Sequence, residues 1–211
     1  VMLILQQIIN GLMLGSVYVM VAVAFTLTIG MLNFLNFTIP ALFMVSAMIT
    51  WAATAAGFHW LVAAGFGMII AILASLVIER FTYRYMKAKY GDATEHALPL
   101  VSSLGFLIIF EHVVIMIWGT DPMTFNSPFA HAKFEIVGLI FGIPQLISLA
   151  LSLVLVFGLS LLLKKTQLGR ALRSIAEKPD TATLMGVDVG KIVPVVFVMT
   201  GFLCALAGIL F

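Results

Sequence analysis

Six stretches of this chain, roughly residues 3–30, 36–57, 60–79, 98–118, 144–163 and 192–211, stay apolar for long enough to cross a lipid bilayer. About 20 residues rising 1.5 Å each span a hydrocarbon core about 30 Å thick. Within that core a helix is the element that satisfies all its backbone groups inside one segment. The pattern therefore predicts an all-α integral membrane protein, a polytopic bundle of about six spans in a single domain over residues 1–211. Composition agrees, with 63% hydrophobic and 9% charged residues and a mean hydropathy of +1.18, where soluble domains carry about 25% charged residues. The single cysteine, Cys204, lies in an apolar run, which excludes an intrachain disulfide and a cysteine metal cluster and suits a small packing residue. No basic stripe of the kind that binds nucleic acid is present. The opening V-M-L-I-L-Q-Q-I-I-N lacks a charged n-region and a cleavage site, so the first helix is expected to be retained. The last run stops on Phe211 with no polar flank, which suggests a chain that continues.

Charge sets the orientation. Arg80, Arg84, Lys87 and Lys89 lie in the segment Glu79–Leu98, and six more basic residues lie in Lys164–Lys191. The segment between them holds only Lys133. By the excess of Lys and Arg in short cytoplasmic loops, the first and third face the cytoplasm and the middle one faces out. Counting back through the spans puts the turn Gly57–Trp60 outside, the turn Met31–Asn36 inside and the N-terminus outside.

The loop 164–191, K-K-T-Q-L-G-R-A-L-R-S-I-A-E-K-P-D-T-A-T-L-M-G-V-D-V-G-K, has internal order. Leu168, Leu172, Ile175 and Ala176 recur at helical spacing, while Arg170, Arg173, Glu177 and Lys178 fall elsewhere around the helix. A short amphipathic helix is expected, ended by Pro179. A second turn follows, with Asp180 as its cap and Ala182, Leu184 and Met185 on an apolar side, stopped by Gly186. On composition alone this is equally a solvated connecting loop. The pattern G-R-A-x-R-x-x-A-x-x-P-x-x-A-x-L-M-G-V, carried by Gly169, Arg170, Ala171, Arg173, Ala176, Pro179, Ala182, Leu184, Met185 and Gly186, closely resembles the coupling loop of permeases in the branched-chain amino-acid ABC-importer family, the LivH-type inner-membrane subunit in particular. The resemblance implies a helix pair that docks on a cytosolic ATPase and passes its motion to the membrane helices.

The rest of the chain is similar to the same family in the same order. The run N-G-L-M-L-G-S-V-Y-V-M from Asn10, with Gly11 and Gly15 in G-x-x-x-G spacing for close helix packing, resembles its first helix, with Ala24 where the family usually has Gly. In M-L-N-F-L-N-F-T-I-P, the residues Asn33, Asn36, Phe37, Thr38 and Pro40 interrupt the apolar character. Pro40 in lipid frees backbone groups, which suits a broken helix lining a pathway; the other reading is an inside turn with asparagine caps. The family has N-F-A-H-G there, so Thr38, Ile39 and Pro40 depart from it, which would suit a less polar cargo. I-E-R-F-T-Y-R-Y, with Glu79, Arg80 and Arg84, is similar to the family's end of the third helix and also reads as a snorkelling boundary. Ser102, Ser103 and Gly105 match the fourth helix. Glu111 beside His112 is the acid well inside a span, either lining a pathway or lying near the outer interface. His59 and Trp60 read as an interfacial turn. The segment Asp121–Gly142 reads as a short external hairpin-like cap around Gly138. Gly201, Cys204, Ala205 and Gly208 give the last run one narrow side for helix packing.

The resemblance implies a transport role as one permease of a homo- or heteromeric pair in a bacterial inner membrane, with two cytosolic ATPase subunits and a periplasmic solute-binding protein. The cargo would be a branched-chain amino acid or a related carboxylate or amide. ATP and magnesium belong to the ATPase and no cofactor to this chain. It also implies that the family's C-terminal helices are absent from these residues. An ion-coupled secondary transporter, using Glu111, is the alternative. An intramembrane enzyme is disfavoured, since no span carries a catalytic pair such as H-E-x-x-H.

The orientation is directly testable. In a Cys204→Ser background, single cysteines introduced at Ala88 and Thr183 should resist an impermeant thiol reagent in intact cells, and one at Ala132 should react. Labelling at Ala88 from outside would overturn the assignment.

Overall fold

The computed structural model describes residues 2–32, 35–85, 97–121, 123, 133–136 and 139–211. Each long apolar run is a helix: α1 (Met2–Leu32), α2 (Ile39–Ala55), α3 (Trp60–Ile78), α4 (Ala97–Trp118), α5 (Ile143–Lys165) and α8 (Val189–Leu210). Two short helices, α6 (Gln167–Glu177) and α7 (Pro179–Leu184), lie between α5 and α8. Five of the helices are long and apolar enough to cross a membrane. The run 36–57 gives less than expected, because α2 has only 17 residues, about 25 Å at 1.5 Å per residue. Its start is consumed by a turn at Asn36–Thr38. Its end is fixed by Gly57, whose φ of +90° lets the amides of Gly57 and Phe58 turn back onto the carbonyls of Thr54 and Ala53. His59 then caps α3, its Nδ1 accepting from the Leu61 amide at 3.4 Å.

The hairpin anticipated around Gly138 is an antiparallel ribbon of β1 (Lys133–Ile136) and β2 (Leu139–Gly142), with Lys133 opposite Gly142. Val137 and Gly138 are outside the described residues.

The core is built around α8, which packs on α1, α2 and α3. Apolar contact alone gives helices little reason to associate in lipid, so close approach and hydrogen bonding decide the arrangement. Glycines supply the approach. A Cβ at Gly67 of α3 would strike Thr50 Oγ1 and, at 2.8 Å, the Ser46 carbonyl oxygen of α2. At Gly201 of α8 it would lie 2.9 Å from Ser75 Cβ, and at Gly208 it would strike the Phe43 carbonyl oxygen. Hydroxyls cross the same seams: Ser75 Oγ donates to the Phe197 carbonyl at 2.6 Å, and Ser46 Oγ reaches the Ala205 carbonyl at 3.4 Å. Thr28 and Thr200 pair at 3.3 Å between α1 and α8, and Ser16 and Ser148 at 3.2 Å between α1 and α5. Cys204 and Ala205 are fully buried in this kernel. Gly11 and Gly15 behave differently from their anticipated packing role. Nothing in the described chain comes within 4 Å of a Cβ built at either.

These contacts rank the glycines. Gly208→Val, forced against a backbone carbonyl that cannot rotate away, should cost about 1–3 kcal/mol. It should lower the thermal unfolding midpoint in detergent, while Gly105→Ala and Gly158→Ala, which meet open space and gain up to about 1 kcal/mol of helix propensity each, should raise it slightly.

Candidate functional site

The segment 164–191 folds as two helices set against the end of the bundle. Its first corner is tight. Thr166 caps α6, its Oγ1 accepting from the Gly169 amide at 3.1 Å while donating to the Leu162 carbonyl at 2.6 Å. Gly169 lies directly under the end of α5, where a Cβ would collide with the carbonyl oxygens of Leu162 and Leu163. A side chain there would push α6 off α5. The apolar stripe then falls as its spacing requires: Leu172 and Ile175 are buried, and α6 lies against α1, α5, α7 and α8. Leu172 joins the buried cluster that contains Leu32, Ile39, Ile78 and Val193. Arg170, Arg173, Glu177 and Lys178 point to the exposed side, and Ala176 is half-buried.

The second turn corrects one reading. Asp180 does not cap it; Lys178 holds the cap position without a side-chain bond, and Pro179 and Asp180 form the first turn of α7. Proline at a helix start loses nothing, since that N–H has no partner in the helix. Pro179 therefore opens α7, and α6 has already ended at Glu177. Gly186, at φ +86°, closes α7 with its amide on the Thr183 carbonyl and the Val187 amide on that of Ala182, both at 3.0 Å. Ala182 is buried, whereas Leu184 and Met185 are 88% and 82% exposed. At the exit, Asp188 bonds Lys191 at 3.1 Å, and that hydrogen bond holds the Asp188 carboxyl below the usual carboxylate range.

A polar group sits at the α1–α2 turn. Asn36 Oδ1 accepts from the Thr38 amide at 3.1 Å and the Thr38 hydroxyl at 2.6 Å, and both side chains are buried. The Phe37 amide donates to Ser103 Oγ at 3.2 Å, and Ser103 donates to the Leu100 carbonyl. Ser102 pairs with Thr82 at 3.2 Å. Asn36, Phe37, Thr38, Ser102 and Ser103 thus join the starts of α2 and α4, and Ser102 carries the link on to the end of α3. Asn33 lies outside the described residues.

The anticipated broken helix is an ordinary start. Pro40 falls in the first turn of α2, where it removes no intrahelical bond, and it is exposed. Ile39 is fully buried in the core. Glu111 is exposed on α4, about 12 Å further along the helix than Ser103, and joins none of these groups. The acid that a spanning helix does bury is Glu79, at the start of a π-helical turn, Glu79–Arg84, which continues α3. Arg84 Nη2 donates from that turn to the Gly190 carbonyl of α8 at 3.0 Å. Sequence reading left Arg84 as a boundary charge; Thr82, Ser75 and Thr200 were hydroxyls in apolar runs with no visible partner.

Helices of this length and apolarity, tied by buried hydroxyls and carrying an amphipathic helix pair at one end, define a multi-pass integral membrane protein. The family model described as "Branched-chain amino acid transport system / permease component" matches residues 7–211, and the chain belongs to that family. It is 27% identical to the high-affinity branched-chain amino acid transport system permease protein BraD of Pseudomonas aeruginosa, over 98% of this chain and 70% of BraD. To LivH of Escherichia coli it is 26% identical with the same coverage. To the probable LivH of Methanocaldococcus jannaschii it is 29% identical over 67% of this chain and 44% of that protein. These relatives are named as transport permeases, not enzymes. No solved structure matches at a significant level.

The α5–α6 corner can be tested without any partner. Gly169→Ala would ordinarily favour a helix by about 1 kcal/mol, but here the added methyl meets two carbonyl oxygens. It should loosen α6 and speed tryptic cleavage at Arg170 and Arg173 several-fold. An unchanged digestion rate would show that the corner tolerates the methyl.

Proposed function

We propose that this chain is a translocating subunit of an ATP-driven importer in a bacterial cytoplasmic membrane, with α6 and α7 as its coupling helices. A second permease, identical or related, two cytosolic ATPase subunits and a periplasmic solute-binding protein complete the assembly. The cargo is a branched-chain amino acid or a related carboxylate or amide, as the names of the relatives suggest. The observation that carries the reading is the two-sided character of the α6–α7 pair. One side, Leu172, Ile175 and Ala182, is buried in the chain's own bundle, and the other presents Arg170 and Arg173 with Leu184 and Met185 almost bare. Bare aliphatic side chains at a helix end suit a protein groove, where burial contributes about 1.5–3 kcal/mol each.

Force applied to that face has a short route into the membrane. Helix α6 rests on α1 and on the start of α8, so displacing it shifts two helices of the bundle together. Packed interfaces of this kind convert small displacements into alternative arrangements, which is what alternating access requires. ATP and magnesium would be bound by the partner ATPase, and this chain supplies the lever. The ion-coupled alternative loses support within this chain, since Glu111 is exposed on α4 among the described residues.

Reversing the charge at Arg170 or Arg173 to Glu should cut uptake by more than about tenfold through like-charge contact with the partner, while membrane insertion stays intact. Leu184→Ser with Met185→Ser should reduce recovery of the ATPase with the permease. Wild-type uptake and wild-type co-purification in all these variants would sink the proposal.

A further inference from the structure

Helix α8 contains a proline, Pro194, in its second turn. The carbonyl that would receive its amide belongs to Gly190, and proline has no N–H to give, so this intrahelical bond cannot form. The ring also crowds the same oxygen and turns it outward. Arg84 supplies a replacement from 106 positions away, its Nη2 donating to the Gly190 oxygen at 3.0 Å. A Cβ on Gly190 would lie 3.3 Å from Asp188 Oδ1 and 3.9 Å from that nitrogen, so the guanidinium sits in ordinary contact beside this backbone position. Glu79, buried at the other end of the same π turn, is within electrostatic reach of Arg84 and Arg80.

The two sides of Pro194 are held differently. Beyond it, α8 is fixed to α3 by the close approach of Gly201 to Ser75 and by the bond from Ser75 to the Phe197 carbonyl. Before it, residues 189–193 follow directly on the Gly186–Asp188 exit of α7. This lower piece meets α3 through Val193, buried in one cluster with Ile78, and through the hydrogen bond from Arg84. The geometry points to Arg84 as a positioning residue that clasps a proline hinge in α8 and carries movement of the α6–α7 pair into α3. This rests on the reading of α6–α7 as coupling helices.

The test is a double-mutant cycle of Arg84→Ala and Pro194→Ala, with Arg84→Lys as the conservative variant. Each is measured in the purified permease by thermal midpoint and in the complete transporter in liposomes by uptake per ATP hydrolysed. The bond is charge-assisted but partly exposed, so R84A should lower uptake per ATP by about fivefold and reduce the midpoint. R84K, which keeps a donor, should recover most of both. P194A returns an N–H to the Gly190 carbonyl, so adding R84A to P194A should cost nothing further in either measurement. Equal losses from R84A in the presence and absence of Pro194 would overturn the clasp, as would unaltered uptake per ATP in R84A. A wild-type complex without ATP-driven uptake of any branched-chain amino acid or related carboxylate or amide would remove the coupling reading and Arg84's transport role with it. The midpoint cycle would still decide whether the hinge is clasped.

Discussion

Everything in this structure depends on how closely α2, α3 and α8 approach one another. In lipid, leucine gains little by leaving acyl chains for another helix, so shape and hydrogen bonding must hold the bundle. Gly67, Gly201 and Gly208 remove the side chains that would keep the three backbones apart. The hydroxyls of Ser46 and Ser75 then reach carbonyls on the facing helix. The four-residue spacings of the last run allow this, since they bring Gly201, Cys204, Ala205 and Gly208 onto neighbouring faces. Around that kernel α1 joins through Thr28, while α4 and α5 are far less covered within the chain.

The kernel matters because the exposed helix pair is attached to it at several points. Leu172 reaches the buried cluster of the α1–α2 end, α5 enters the pair through the Gly169 corner, and α8 leaves it three residues after the turn at Gly186. A helix pair on a long flexible tether would absorb a push. One wedged under a carbonyl-lined corner would pass it on. The polar contacts from Asn36 to Ser103 and from Ser102 to Thr82 connect the same end of α2, α4 and α3, so the lever and the helix ends it would move form one connected layer.

Much of this was legible beforehand because membrane helices announce themselves by length and apolarity, and because an amphipathic helix has a period. The positions of α1, α3, α4 and α5, the buried faces of Leu172 and Ile175, and the Gly186 stop follow from those rules. Pro40 left two readings open, a helix break or an inside turn, because its effect depends on whether it falls in the first turn or later. That boundary was set by the Asn36–Thr38 turn. Asp180 failed as a cap for a related reason: with Pro179 supplying the first helical φ, the helix begins two residues earlier. Glu111 stood out as a charge in an apolar run, yet sequence periodicity in a helix apolar all round says nothing about which side faces the bundle.

The sequence by itself determined a multi-pass helical protein with a two-helix basic loop, because backbone satisfaction in lipid and the alternation of apolar and basic stretches leave few other outcomes. Tertiary structure alone decided which small residues are contacts. Gly11 and Gly15 have the same spacing as many packing motifs and touch nothing described, while Gly201 and Gly208 are pressed against backbone. It also decided the partners of single polar groups, such as Arg84 for the carbonyl that Pro194 leaves unpaired. A glycine or a guanidinium carries no mark of its partner along the chain; that depends on which helices lie side by side, and helix pairing is settled by the packing of the whole bundle.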